Sequence, residues 1–252
     1  MDRMLEITDR EGIRSIRMAH GKANAFDVEF CGALTSAFRD AGSARAVVLT
    51  GTGRIFSAGV DLPRILAGGE AYTRQFLGVL DECFRALFAL ERPVVAAING
   101  HAIAGGCVLA CACDARLMAD GDATIGAPEL AVGVPFPVLP LEILRHAGGD
   151  PLARRLSVRC ESLPARAAFE AGLVDRLVPA AELEASALAE AQRLSAIPSP
   201  VFALAKRQLR APVFERVAAL KAHDEQVVRE WTSPGVRASI AAFVERTLRK
   251  KS

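Results

Sequence analysis

Two runs of apolar residues in this chain each stop at a loop that is rich in glycine. They are RAVVLTG at residues 45–51 and PVVAAING at residues 93–100. Unbroken apolar runs bounded by glycine are typical of strands buried on both faces. A helical pattern over residues 61–90 follows the first loop, and a helix of small residues follows the second. This repeat predicts a layered α/β core with both loops at one end, where such sheets bind ligands.

Shorter patterns complete the predicted core. Residues 23–41 are predicted to form a helix, because large apolar residues recur there at every fourth position. These residues are Phe30, Leu34 and Phe38. Further strands are predicted at residues 13–18, 115–119 and 123–126.

The pattern changes at about residue 196. The break AIPSP at residues 196–200 is followed by helical stretches with apolar stripes. The stripes include Val213, Val217, Leu220, Val227, Val228, Trp231, Ile240, Phe243 and Val244. Two interpretations are equally favoured: the stripes pack onto the core, or they form a subunit interface. We therefore predict a core over residues 1–195 and a helical region over residues 196–252.

Charge excludes one class of function. The chain has 31 basic and 29 acidic residues among 252, and its formal net charge is +2. Nucleic-acid binding needs a much stronger positive field. With one Trp and one Tyr, a platform for stacking bases is also excluded.

The cysteines indicate neither a metal site nor an oxidising compartment. None of the six forms a CxxC pair, and Cys107 and Cys111 lie among Ala, Leu and Val, where thiols act as small hydrophobes. Free thiols fit a reducing compartment. The N-terminus has no apolar signal region, and Asn99, His101 and several glycines interrupt the most apolar window, residues 93–113. We expect a cytoplasmic protein with no bound metal and no membrane or nucleic-acid partner.

The two glycine loops are the candidate functional feature. They are RIFSAGVDL at residues 54–62 and NGHAIAGGC at residues 99–107. Small residues let another group approach the unpaired N–H donors that begin a helix. Two such loops could aim two N–H groups at one oxygen and stabilise developing charge, although each could also be an ordinary turn. Asp61 fits a helix cap better than a catalytic carboxylate.

Four ordered motifs resemble the enoyl-CoA hydratase/isomerase, or crotonase, family. They are FSAGVDL (56–62), NGHAIAGGCVLACACD (99–114), PELAVGVPFP (128–137) and FEAGLVDRLV (169–178). The resemblance covers nearly the whole chain. It implies an α/β spiral of ββα repeats with a C-terminal helical region for trimer assembly. It also implies an acyl-CoA thioester as substrate and no tightly bound cofactor.

The resemblance implies a role for particular residues. The N–H groups of Val60 and Gly105 would hold a thioester enolate. The remaining residues that would contact substrate or coenzyme A are Lys22, Ala23, Ala58, Gly59, Asp61, Gly106 and Val108. Cys160 stands where relatives often have a turn glycine, which affects a turn and leaves the chemistry unchanged.

The number of glutamates at the site distinguishes hydration from double-bond isomerisation. The family's hydratases hold a water with two glutamates, and here the two corresponding positions are Val108 and Glu129. Moving a double bond needs one base that removes a proton at C2 and returns it at C4. We therefore predict an enoyl-CoA isomerase with Glu129 as base, whose pKa an apolar setting would raise.

Alternatives remain open. One is an enoyl-CoA hydratase or another enolate-forming member of the family, with a second acid such as Glu70 or Glu82. The other is an acyl-CoA-binding protein of low activity. We expect Glu142 to face solvent and His101 to be a loop residue. The expected assembly is a homotrimer or a dimer of trimers.

Overall fold

A computed structural model describes residues 4–249 of the chain. The outermost residues of the two predicted regions, 1–3 and 250–252, lie outside the described part. The strands within it are β1 (Leu5–Arg10), β2 (Ile13–Met18), β3 (Ala46–Thr50), β4 (Ile55–Ser57), β5 (Val94–Ile98), β6 (His101–Ile103), β7 (Ala115–Ala119), β8 (Thr124–Gly126), β9 (Ser162–Pro164) and β10 (Arg176–Val178). The helices are α1 (Val28–Asp40), α2 (Leu62–Ala89), α3 (Gly105–Cys111), α4 (Glu129–Val132), α5 (Val138–Ser157), α6 (Ala165–Glu170), α7 (Leu183–Ser195), α8 (Ser199–Ala219), α9 (Lys221–Thr232) and α10 (Pro234–Arg249).

The strands form two sheets. The larger has the order β1-β2-β3-β5-β7-β10, antiparallel between β1 and β2 and parallel from β2 onwards. The smaller has the order β4-β6-β8-β9 and is parallel up to its last pair. Each turn of the chain contributes one strand to each sheet and then a helix, as in β3-β4-α2, β5-β6-α3 and β7-β8-α4. This is the spiral of ββα repeats implied by the resemblance.

The predicted burial of β3 and β5 on both faces is confirmed. Every residue of β3, β5 and β7 is buried. On one face Val47 and Leu49 pack with the apolar sides of α1 and α2 in the main core. On the other face Val48 and Val95 pack with residues of α7 in a second cluster. A strand covered by helices on both sides has no polar face, and for this reason its sequence does not alternate.

The predicted order of strand, loop and helix omits two strands of the smaller sheet. Each glycine loop contains a three-residue strand, β4 in the first and β6 in the second. His101, expected in a loop, is the first residue of β6, and its Nδ1 lies 3.1 Å from the hydroxyl of Thr124 in β8. Three residues are too few for a recognisable alternation, so only pairing with neighbouring strands defines these elements.

The C-terminal helices pack onto the core, as the first of the two interpretations proposes. Val213, Val217, Trp231 and Ile240 are buried in the main core cluster. The indole N–H of Trp231 donates to the carbonyl of Pro135 at 2.9 Å, just before α5. α8 also exposes Val201, Leu204 and Leu209, and a subunit interface there stays a prediction. No helix among residues 4–249 is long and apolar enough to span a membrane.

Candidate active site

The first glycine loop is held against the segment that precedes α1. The N–H of Ala58 donates to the carbonyl of Ala23 at 2.9 Å, and the N–H of Asp61 donates to the carbonyl of Phe26 at 3.0 Å. Gly59 has a φ of +81°, a conformation that strains residues with a Cβ. Its carbonyl accepts from the N–H of Phe26 at 2.7 Å. These bonds leave the N–H of Val60 without an acceptor among residues 4–249.

The second loop presents a comparable amide. α3 begins at Gly105, and the carbonyl of Ala104 accepts from the N–H groups of Cys107 and Val108 at 2.9 and 3.2 Å. The N–H of Gly105 has no carbonyl four residues earlier in the helix to receive it. Within the described part of the chain it donates to no other group, although the residue is buried.

The two loops lie in direct contact. A Cβ placed on Gly59 would stand 2.7 Å from the Cβ of Ala104 and 3.1 Å from the nitrogen of Gly105. A Cβ placed on Gly106 would stand 2.9 Å from the carbonyl carbon of Ser57. Real Cβ atoms essentially never come within 3.0 Å of such neighbours. The bare residues of the sequence therefore let two stretches of backbone approach each other and bring two unpaired amides into one region.

Glu129 is the first residue of α4, three residues after β8 ends. Its carboxylate oxygen Oε2 is buried and has no hydrogen-bond partner in the described structure. Burial raises its pKa to about 8, against the opposing effect of a hydrogen bond from its own backbone N–H. The rise expected from the apolar sequence around Glu129 is present. At neutral pH most of this group is protonated in the free protein.

Glu129 and the second loop share one environment. A hydrogen bond to Cys111, burial and the charge of Glu129 all raise the pKa of the Cys107 thiol. Cys107 lies two residues after Gly105, so the Glu129 carboxylate acts electrostatically on the start of α3. Val108, the next residue, is fully buried in the apolar core and provides no second carboxylate.

The other glutamates considered in the sequence analysis form ion pairs with arginines. Glu70 and Glu82 form exposed ion pairs with Arg74 and Arg39. The expectation that Glu142 faces solvent is wrong: the residue is 1% exposed. Its carboxylate bonds to Arg145, three residues later, and to Arg216 of α8 at 2.5 Å. The two arginines provide the charge that makes its burial tolerable, and this pairing could not be read from the helix alone.

The predicted coenzyme A residues lie beside the first loop. Lys22 is exposed, and Ala23 is hydrogen-bonded to Ala58 as described. Asp61 is the N-cap of α2, and its carboxylate accepts from the N–H of Arg64 at 3.0 Å. The helix-cap interpretation of Asp61 is confirmed. Contact between these residues and a ligand stays a prediction.

Sequence reasoning missed the buried residue Asn24, which organises this loop. Its φ is +47°, a conformation that Asn tolerates better than most residues. Its side-chain amide donates to the carbonyl of Phe56 at 3.0 Å, and its side-chain oxygen accepts from the N–H of His20 at 2.8 Å. The Ser57 hydroxyl donates to its carbonyl at 2.8 Å. An Asn in a Gly-containing turn was the available signal.

The cysteines of α3 are core residues. Cys107 and Cys111 are buried in the apolar core. Among residues 4–249, no three His, Cys, Asp or Glu side chains lie close enough together to hold a metal ion. Cys160 has a φ of +53°, so the turn expected at this position retains the backbone conformation of a glycine.

A ββα spiral with two touching glycine loops beside a buried carboxylate defines a protein of the crotonase fold. The chain belongs to the enoyl-CoA hydratase/isomerase family, whose sequence model matches residues 8–250.

The relatives include proteins described as hydratases and proteins described as isomerases. A protein of Mycobacterium bovis described as a probable enoyl-CoA hydratase is 34% identical over 247 residues, covering 96% of this chain and 97% of the relative. Human mitochondrial enoyl-CoA delta isomerase 1 is 27% identical over 246 residues, covering 95% and 82%. The crystal structure of human mitochondrial delta3-delta2-enoyl-CoA isomerase superposes with a TM-score of 0.94 at 25% identity, covering 99% of this chain and 100% of that one.

Proposed function

We propose that this protein is an enoyl-CoA isomerase that moves a double bond in an acyl-CoA thioester. One observation carries the proposal: Glu129 has a buried carboxylate oxygen beside the second loop, while Val108 leaves the other glutamate position of the hydratases apolar. Similarity to a human isomerase over the whole chain supports this choice.

The proposed reaction uses one base and two amides. The Glu129 carboxylate removes a proton from C2 of a 3-enoyl thioester. The negative charge moves to the thioester oxygen, where the N–H groups of Val60 and Gly105 stabilise it. The protonated Glu129 then returns the proton at C4, and the double bond lies between C2 and C3. A proton shuttle of this kind requires no electron carrier and no Lewis acid, so we propose no tightly bound cofactor.

Burial serves this chemistry in two ways. It raises the pKa of Glu129, which makes its carboxylate a stronger base than an exposed one. The Gly105 amide is also buried, so that its hydrogen bond to the oxyanion is stronger than in water. Losing one such donor typically lowers turnover by about 10²–10³-fold.

The surroundings of the site suggest how the thioester lies. Lys22, Ala23, Ala58 and Gly59 would contact coenzyme A, because the loop of residues 20–26 lies along the first glycine loop. Asp61 would act through the helix that it caps. Gly106 and Val108 would line the acyl side of the site.

Hydration is the second candidate, because the Mycobacterium relative is described as a probable hydratase. Product analysis distinguishes the two reactions. The purified protein is incubated separately with trans-3-enoyl-CoA and trans-2-enoyl-CoA of the same chain length. An isomerase converts the first into the second, whereas a hydratase produces 3-hydroxyacyl-CoA from the second. Hydration without isomerisation would overturn the proposal, and binding without either product would leave an acyl-CoA-binding protein.

Assembly and location complete the proposal. We expect residues 196–252 to join subunits into a homotrimer or a dimer of trimers, and light scattering after gel filtration measures the mass. A protein mass of one 26.8 kDa chain would contradict this expectation. The free cysteines among the described residues fit the proposed cytoplasmic location.

A further inference from the structure

Ala104 has a backbone conformation that normally belongs to glycine. Its φ is +53° and its ψ is −125°. These angles match the first central position of a type II′ turn, where a side chain is strained and glycine predominates. Residues held in such regions persist only when their surroundings enforce the conformation, and they cluster at functional sites.

Three contacts enforce this conformation. The N–H of Ala104 donates to the carbonyl of Gly126 at 2.7 Å, and its carbonyl accepts from Cys107 and Val108 at the start of α3. Its methyl group faces Gly59, as shown by the 2.7 Å that would separate it from a Cβ on that glycine. Ala104 therefore contacts the first loop, the helix of the second loop and the strand that leads to Glu129.

Rotation about ψ of Ala104 turns the peptide plane that carries the Gly105 N–H. The direction of this amide thus depends directly on the strained angle. The methyl group and the Gly105 nitrogen both lie against Gly59 and fill the space beside it, so the plane cannot rotate without pressing on the first loop. A glycine at position 104 would relieve the strain but would leave that space empty and permit other angles.

We propose that Ala104 is a positioning residue, whose methyl group, held against Gly59 in a strained backbone conformation, fixes the Gly105 N–H relative to the Val60 N–H. This inference rests on the proposed function, because it assigns the two amides to one thioester oxygen. It assigns a role to a residue that had none in the sequence analysis.

The test compares Ala104→Gly with Ala104→Ser, which keeps a Cβ and is the matched control. For Ala104→Gly we expect a turnover number about tenfold lower, a KM within about twofold of wild type, and a melting temperature equal to or above wild type. For Ala104→Ser we expect turnover close to wild type. A merely structural role would lower the melting temperature and would not separate the turnover number from KM.

A second measurement does not depend on isomerisation. Acetoacetyl-CoA loses a proton from C2 to give an enolate, and only this enolate has a characteristic ultraviolet band. We expect wild type and Ala104→Ser to enolise the bound thioester at a lower pH than in free solution, and Ala104→Gly to do so less. An equal enolate fraction in Ala104→Gly and wild type would overturn the inference.

Together, the two measurements show which of the two proposals has failed. If wild type forms the enolate but moves no double bond, the isomerase assignment fails and the inference about Ala104 is still decided by the enolate band. If wild type binds acetoacetyl-CoA without forming any enolate, the paired amides do not act together and the inference fails as well.

Discussion

The carbonyl group of Ser57 lies against the α-carbon of Gly106, so closely that a Cβ on that glycine would stand 2.9 Å from the carbonyl carbon. This contact joins the end of β4 to the first turn of α3. It holds the two loops together through backbone alone, which has no rotamers to adjust. Changes at this contact should therefore affect stability and turnover together.

Gly106→Ala tests this contact. The new methyl group must push α3 away from β4, and we expect a loss of about 1–3 kcal/mol of unfolding free energy together with a turnover number at least tenfold lower. Urea unfolding and steady-state kinetics measure the two effects. Gly32→Ala is the control, since Gly32 lies in α1 with nothing within 4 Å of an added Cβ. It should stabilise by about 0.5–1 kcal/mol. Wild-type turnover in Gly106→Ala would show that the loops need not touch.

The base assignment predicts the pH dependence of activity. Only the carboxylate form of Glu129 accepts a proton, and burial raises the pKa of this group to about 8. kcat/KM should therefore rise about tenfold for each unit of pH up to about 8 and then level off. Glu129→Gln should abolish turnover and leave acyl-CoA affinity within about twofold of wild type. Glu82→Gln, at an exposed ion pair, is the control. A flat pH profile, or activity in Glu129→Gln, would exclude Glu129 as the base.

The same group predicts a pH-dependent stability. Its pKa is about 8 in the folded protein against 4.5 as the reference value, so the folded state binds more protons between these values. Stability must then fall as pH rises from about 4.5 to about 8, by at most about 5 kcal/mol. Glu129→Gln removes this loss. It should be more stable than wild type by about 2–5 kcal/mol at pH 9 and nearly equal at pH 5. Urea unfolding at both pH values measures the difference in unfolding free energy between the variant and wild type. If the substitution acted only through packing, this difference would be the same at both pH values.

Cys160 offers a stability test remote from the chemistry. Its φ of +53° strains a residue with a Cβ, and the thiol makes a weak 3.4 Å contact with the carbonyl of Ser157. Cys160→Gly should stabilise by about 0.5–1 kcal/mol, because relief of strain exceeds the added entropy of the unfolded chain. Cys160→Ser keeps the strain and should change little. Thermal unfolding compares the two variants, and equal melting temperatures would contradict the claim that the backbone at position 160 is strained.

Asp114 should be important for folding. Its carboxylate accepts from Lys206 at 2.6 Å, from Arg210 at 2.7 Å and from the N–H of Val94 at 2.8 Å. Both cations are buried, and burial lowers the pKa of Lys206 to about 8. Asp114→Ala leaves them unpaired, and we expect a loss of about 3–5 kcal/mol in urea unfolding.

The control for Asp114 is Asp120→Ala, which breaks only an exposed pair with Arg166 at 3.3 Å. That change should alter the unfolding free energy by less than about 1 kcal/mol. Equal effects at the two positions would contradict the account of the buried cations.

Local patterns determined the elements that are long or buried on both faces. β3 and β5 lie in unbroken apolar runs, and α2 begins after Asp61 as its capping preference predicts. Such signals belong to neighbouring residues along the chain, and a single segment contains all of the information. The family motifs likewise implied the spiral and drew attention to Glu129.

Only the tertiary structure decided which segments meet. Glu142 is buried because its carboxylate pairs with Arg216 of α8. The side-chain amide of Asn24 donates to the carbonyl of Phe56 in β4 and so holds its loop against that strand. The strands β4 and β6 exist because they pair, and Ala104 is strained because Gly59 and Gly126 hold it. The sequence by itself determined how each residue prefers to be solvated and how each segment prefers to bend. The partners that override or use these preferences lie far along the chain, and folding alone brings them within contact distance.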